Sequence, residues 1–294
     1  MLNDQILYSN CRIIIVRDDS FPFFSGGNKA RKMKSIIPEL ESNKLDALVT
    51  TGGIQSNHCR VAALACAFHG WKCKLILHGS EHEFMSQKGN ALIMRITGAE
   101  IEFVTSEEIG SAMDQAMEEL TSKGYKPYYL HGGGHNKAGV QAYVNALKEL
   151  QVLYPNMLPD HIFLASGTGS TQAGIIAGCQ EVGWFQTQVH GISVARDKNR
   201  GVEAILEALG FVYTEPASLK PNINFYDDYR FGVYGKYDHQ LLNFIHDVAE
   251  KSGIILDPTY TGKGFFGMMD IVRQKKLSGN ILFWHTGGLL NLMA

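Results

Sequence analysis

The chain has 294 residues, 45% hydrophobic and 19% charged, with a formal net charge of −2. That length supports one large or two medium domains with substantial cores, and the near-balanced charge supplies no field to attract nucleic acid or an anionic membrane surface. No apolar run reaches membrane-spanning length, Ile13–Val16 is too short and too closely flanked by charge to be a signal sequence, and the five cysteines form no CxxC pair, so a reduced, cytoplasmic compartment is expected.

The predicted elements alternate strand and helix. A strand over Arg12–Val16 precedes Ser25-Gly26-Gly27-Asn28-Lys29-Ala30-Arg31-Lys32, where two glycines deliver a lysine to a helix over Lys29–Ile37. Crowding by Arg31 and Lys32 would lower the Lys29 pKa, as a Schiff-base lysine requires. Taken alone, the run also fits a solvated lysine on a turn. A strand over Ala47–Thr50 then enters Thr51-Gly52-Gly53-Ile54-Gln55-Ser56-Asn57-His58 and a helix over Asn57–His69. Ser56 and Asn57 at that helix N-terminus suit an anion such as a carboxylate, and equally suit a plain N-cap.

Strands over Lys74–Leu77, Ile101–Val104 and Tyr128–Leu130 follow, with helices over Asn90–Thr97 and Ser111–Lys123. His131 and His135 flank a triple-glycine turn without a third ligand, and no HExxH occurs, so no metal site is expected. A helix over Gly139–Leu153 and a strand over Ile162–Ala165 lead to Ser166-Gly167-Thr168-Gly169-Ser170-Thr171 and a helix over Thr171–Val182. This loop offers consecutive N–H groups and hydroxyls for a phosphate, or caps for the helix. No lysine closes it as a Walker A loop, and Gln172 occupies the third glycine position of GxGxxG, so a single phosphate fits better than a dinucleotide.

A strand over Val189–Val194 and a helix over Val202–Leu209 precede Ala217–Tyr237, a long irregular stretch expected to carry a substrate-facing tyrosine. The last predicted elements are a helix over His239–Lys251, a strand over Ile254–Leu256, a helix over Gly264–Arg273 and a strand over Ile281–Trp284. Asp257-Pro258-Thr259-Tyr260-Thr261-Gly262-Lys263-Gly264 and His285-Thr286-Gly287-Gly288 place polar groups at strand carboxyl ends, where open α/β sheets bind ligands. The whole pattern predicts an α/β fold of parallel-rich sheets flanked by helices.

Five motifs in this order resemble the tryptophan-synthase-β superfamily of pyridoxal-phosphate enzymes (fold type II), and within it the branch of 1-aminocyclopropane-1-carboxylate deaminase and D-cysteine desulfhydrase. The resemblance implies two lobes, 1–32 plus 139–294 as the large cofactor domain and 33–138 as the small one, with the active site in the cleft, and a homodimer. It makes Lys29 the residue that bonds the cofactor, with the phosphate held by Gly167, Thr168, Gly169, Ser170 and Thr171. Ser56 would contact the substrate carboxylate with Gln55 beside it, and Asn57 the cofactor's phenolic oxygen. Tyr234 and Tyr260 match two active-site tyrosines.

The deaminases resembled here carry Glu at the position of Thr261, facing the pyridine nitrogen, and Leu at that of Thr286. A threonine cannot act as a carboxylate counter-ion, which favours β-elimination of a good leaving group. D-cysteine conversion to pyruvate, sulfide and ammonia is therefore the expected reaction. The alternatives are the deaminase, another lyase or racemase for a small amino acid, a β-replacement synthase, and a non-catalytic pyridoxal-phosphate-binding protein. One departure stands out: relatives have a longer N-terminal segment with a Thr-Pro-Leu element, which Met1–Asn10 does not replace. Its loss is expected to bear on the dimer contact and the openness of the pocket.

Overall fold

The computed structural model describes residues 2–8 and 11–294; Met1, Ser9 and Asn10 of the N-terminal segment lie outside the described residues. The elements in chain order are β1 (Leu2–Tyr8), β2 (Cys11–Arg17), α1 (Gly27–Ser42), β3 (Ala47–Gly53), α2 (Asn57–His69), β4 (Lys72–His78), α3 (Glu81–Ser86) and α4 (Gly89–Ile96). Then come β5 (Glu100–Val104), α5 (Ile109–Ser122), β6 (Pro127–Leu130), α6 (Lys137–Leu153), β7 (His161–Ser166), α7 (Ser170–Glu181), β8 (Gln188–Ser193) and α8 (Lys198–Gly210). The chain continues through β9 (Ile223–Tyr226), α9 (His239–Ser252), α10 (Thr261–Lys275), β10 (Gly279–His285) and α11 (Leu289–Leu292).

Two sheets result, a six-stranded one ordered β1-β2-β10-β7-β8-β9 and a four-stranded one ordered β5-β4-β3-β6. Among the described strands only β1 runs antiparallel, on the outer edge of β2; the other pairings are parallel. Strands buried on both faces must be apolar almost throughout, and β2 and β10 are, with Ile13, Ile15, Ile281 and Phe283 facing α9 and α10, and Ile14, Val16, Leu282 and Trp284 facing α6 and α7. In the small sheet, α1, α2 and α4 cover one face and α5 the other. Among the described residues no helix is long and apolar enough to cross a membrane.

Several boundaries differ from the sequence pattern. Helix α1 continues through Pro38 to Ser42, because Ile36, Ile37 and Leu40 extend one buried face beyond the proline and outweigh its missing N–H. A lobe boundary between residues 32 and 33 would fall inside this helix. Ile254–Leu256 is extended but joins no sheet. Its alternation reflects burial of Ile254 and Leu256 under α9 and α10, and its carbonyl at Ile255 accepts from His285 Nε2 at 2.8 Å. The stretch expected to be irregular contains β9, and β1, α3 and α11 were not predicted.

The two sheets meet around a buried carboxylate. Asp18, 1% exposed at the end of β2, accepts from Arg31 Nε and Nη2 at 3.0 and 2.8 Å, from Tyr143 OH at 2.5 Å and from Trp284 Nε1 at 2.8 Å. These donors come from α1, α6 and β10. Removing one partner of a buried pair leaves the other charged and unsolvated, so Asp18→Ala is expected to cost about 3–5 kcal/mol in urea unfolding. Loss below about 1 kcal/mol would show that Arg31 finds another partner.

Candidate active site

The loops at the carboxyl ends of β3, β7, β8 and β10 surround a cavity of about 580 Å³ between the sheets. Lys29 lines it from the first turn of α1, which reaches this position because the first and last motifs touch. Asn28 N donates to Thr286 O at 2.9 Å, and a Cβ at Gly27, where φ is +86°, would lie 2.9 Å from the same oxygen. A Cβ at Gly288 would overlap Asp257.

Lys29 Nζ donates to Gly133 O at 3.2 Å. Burial lowers its pKa to about 8. The sequence attributed such a shift to neighbouring cations, but Arg31 turns away to Asp18 and Glu149 and desolvation is the cause. Lys32, one turn on, is fully buried and donates to Gly133 O at 3.2 Å and Ser170 Oγ at 2.7 Å. Burial, then the Lys29 charge, holds its pKa well below the usual range. His58 is likewise held low, first by burial.

Of the residues singled out in the sequence, the structure brings Lys29, Ser56, Asn57, Gly167, Thr168, Gly169, Thr171, Tyr234, Tyr260 and Thr286 to the cavity wall. Ser56 caps α2 by accepting from Cys59 N at 3.1 Å. Thr171 Oγ1 accepts from Asn28 Nδ2 at 3.2 Å, linking the lysine motif to the α7 N-terminus. The Tyr234 and Tyr260 hydroxyls hydrogen-bond each other. Tyr234 is 42% exposed, yet burial at its hydroxyl end raises its pKa, and burial raises that of Tyr260 well above the ordinary value.

Three other residues stand behind the wall. Gln55 Oε1 accepts from Asn90 N at 3.0 Å while its Nε2 donates to Gln87 and Lys88. Ser170 is fully buried with its hydroxyl accepting from Lys32. Thr261, also fully buried, donates to Asp257 Oδ1 at 2.7 Å. The Asp257 carboxylate further accepts from the N–H groups of Thr259, Tyr260 and Thr261, so Thr261 builds the turn that presents Tyr260.

Sequence reasoning missed Asn28, Thr51, His78, Ser166 and Arg196 on the wall and passed over His135 as the polar end of a loop. Lys32 was visible as the residue three positions after Lys29, on the same helix face. Among the described residues Thr51 Oγ1, Ser166 Oγ and His135 Nδ1 are buried without hydrogen-bond partners. Orphaned polar atoms are rare in folded proteins, and their gathering on one cavity wall, next to a helix N-terminus and a low-pKa amine, fits a ligand with a phosphate and an electrophilic carbon.

A family model described as pyridoxal-phosphate-dependent enzyme matches residues 7–287. The chain is 34% identical over 293 residues to the bifunctional D-cysteine desulfhydrase/1-aminocyclopropane-1-carboxylate deaminase, mitochondrial, of Arabidopsis thaliana, covering 95% of this chain and 72% of that one. It is 32% identical to the D-cysteine desulfhydrase of Klebsiella pneumoniae subsp. pneumoniae, covering 96% and 88%. A crystal structure of an ACC deaminase homologue superposes with a TM-score of 0.85 at 33% identity, covering 96% of this chain and 86% of the other.

The buried amine sets a pH dependence for the ligand-free protein. A lysine whose folded pKa lies near 8 costs stability when charged. That cost is complete below pH 8 and disappears as pH rises to the unfolded value of about 10.4. Lys29→Met is therefore expected to be more stable than wild type at pH 7, with the difference closing toward pH 10 in urea unfolding. A pH-independent difference would show that Lys29 is not desolvated.

Proposed function

Because the chain belongs to the pyridoxal-phosphate-dependent enzymes, in the branch of 1-aminocyclopropane-1-carboxylate deaminase and D-cysteine desulfhydrase, we propose that it eliminates the β-substituent of a small amino acid, converting D-cysteine to pyruvate, sulfide and ammonia. Bound pyridoxal phosphate supplies the electron sink for ionisation at the substrate Cα.

Lys29 would hold the cofactor's aldehyde carbon, and its amine is the group placed to take a proton from the substrate Cα. With a pKa near 8 it is partly free base at neutral pH. Gly167, Thr168, Gly169 and Thr171 receive the phosphate at the start of α7, where N–H groups and the helix dipole favour an anion. Ser170 supports that loop from behind through Lys32. The turn at Ser56 and Asn57 receives the substrate carboxylate at the start of α2 in the same way, with Gln55 bracing it.

The two tyrosines stay neutral, since burial raises both pKa values. Tyr260, oriented by Tyr234, can thus give a proton to departing sulfur. The two-lobe division at 32/33 and 138/139, closure of the cleft over substrate and a symmetric homodimer belong to the same proposal.

The observation that carries elimination is the chemistry of the wall at Tyr260 and Thr286. Among the described lining residues Glu207 is the one carboxylate, and it lies on α8 facing His135, 3.8 Å from its Nε2. Helix α8 packs on α7 and the Gly169 loop. Pyridoxal phosphate held against Tyr260 and Thr286 would meet hydroxyls there and no lining carboxylate, which suits expulsion of sulfide better than opening of an unactivated cyclopropane. A second reading, deaminase activity on aminocyclopropane carboxylate beside elimination, is favoured by the bifunctional name of the Arabidopsis relative.

Purified holoenzyme given D-cysteine is expected to release sulfide and pyruvate in equal amounts, and Lys29→Ala to release neither. Ammonia from aminocyclopropane carboxylate without sulfide from D-cysteine would overturn elimination in favour of the deaminase. Tyr260→Phe is expected to lower kcat for D-cysteine by about 10²–10⁴-fold, the usual scale for a lost general acid. An unchanged kcat would remove Tyr260 from proton transfer.

A further inference from the structure

Four amides behind the α2 turn form one hydrogen-bonded cluster. The backbone carbonyl of Gln55 accepts from Asn90 Nδ2 and from Asn291 Nδ2, both at 3.1 Å. A carbonyl can only accept, so both side-chain amides must turn their nitrogen toward it, which settles which end of each is oxygen. The Asn291 oxygen then faces Asn57 and accepts from Asn57 Nδ2 at 2.6 Å. On the other side, Asn90 Nδ2 reaches Asn57 Oδ1 at 3.0 Å and Asn291 Oδ1 at 3.2 Å, sharing between them the hydrogen that the Gln55 carbonyl does not take.

Asn57 is therefore held at both ends of its amide. Its oxygen is engaged by Asn90 and one of its two amide hydrogens by Asn291, which leaves the second hydrogen unassigned. Asn57 lines the cavity, whereas Asn90 and Asn291 do not. Asn90 is fully buried, and Asn291 belongs to α11, four residues after Gly287 on the opposite wall. The approach of α11 to α4 depends on Gly89, where any Cβ would overlap Leu290 O.

We infer that Asn291 is a positioning residue: it fixes the Asn57 amide so that an N–H donor, and not a carbonyl, faces the cavity, and it ties the substrate-facing turn of the small sheet to the segment that follows β10. The inference rests on reading the cavity as a site for pyridoxal phosphate and an amino acid. A donor suits either anion that arrives there, the substrate carboxylate or an anionic oxygen of the cofactor. A flipped Asn57 would present an acceptor to the same anion and repel it.

A double-mutant cycle between Asn291→Ala and Asn57→Ala tests this. Two titrations are read: pyridoxal phosphate into ligand-free protein, and D-alanine, which has no β leaving group, into the holoenzyme, both by absorbance. Asn291→Ala is expected to weaken one of the two by about tenfold, the scale of one hydrogen bond to a charged group, and to add nothing in the Asn57→Ala background. Which titration carries the coupling identifies the anion that Asn57 meets.

Asn291→Asp keeps an acceptor for Asn57 but sets a carboxylate oxygen against the Gln55 carbonyl and a negative charge behind the anion site, and is expected to bind no better than Asn291→Ala. The urea midpoint of each ligand-free variant separates this role from a purely structural one, which would lower stability and leave the cycle additive. Additive effects in both titrations, or wild-type affinities for Asn291→Ala, would overturn the inference. Neither titration needs elimination to occur, so a protein that shows the coupling but makes no sulfide from D-cysteine would overturn the proposed reaction alone.

Discussion

The active site depends on a carboxylate that never touches it. Asp18 is buried, and the donors it accepts from belong to α1, α6 and β10. A buried charge is tolerated only with its hydrogen-bonding capacity filled, so its donors have little freedom to move independently. Arg31 lies two residues beyond Lys29, and Trp284 two residues before Thr286. Fixing those two side chains brings the lysine turn against the loop after β10, where Gly27 and Gly287 allow the backbones to meet. Lys29 and the adjoining wall at Thr286 and Gly287 are placed by one ionic contact outside the cavity.

Desolvation follows from the same packing. Lys29 and His58 line the cavity, Lys32 is buried beside it, and each loses affinity for its proton because the charged form is poorly solvated there. The two tyrosines shift upward for the same reason. A site that keeps its amine partly neutral and its phenols protonated near neutral pH is equipped to move protons in both directions. Around it the chain divides its labour. Wall residues present groups to the cavity, while Ser170 with Lys32, Thr261 with Asp257, and Gln55 with Asn90 and Asn291 hold the wall in shape.

That division explains how much was legible in the sequence. Alternation of apolar strands with helices gave the α/β class, because a strand covered on both faces must be apolar along its length. The same signal misread Ile254–Leu256, since alternating burial reports a covered side and says nothing of a ladder partner. The helix expected over Lys29–Ile37 stopped short of Pro38, and a continuing buried face carries α1 past it to Ser42. In the site, Lys29, Ser56, Asn57 and the α7 loop stood out because glycine turns before helices suit an anion, although the same turns also serve as plain caps. Gln55, Ser170 and Thr261 carried the same motif signal, yet a motif does not distinguish a side chain on the wall from one that braces it.

The sequence by itself determined the order of glycine turns and helix starts, and with them the candidates for a cofactor lysine, an anion-binding turn and a phosphate loop, since backbone conformation and helix dipoles act within a few residues. Only the tertiary structure decided which groups share the cavity. Contacts such as Asp18 with Trp284 or Asn57 with Asn291 join residues more than two hundred positions apart, and no local pattern encodes such a meeting. The low pKa of Lys29 belongs to the same class: the neighbouring cations in the sequence were the wrong cause, because desolvation is a property of the enclosed volume and not of the adjacent residues.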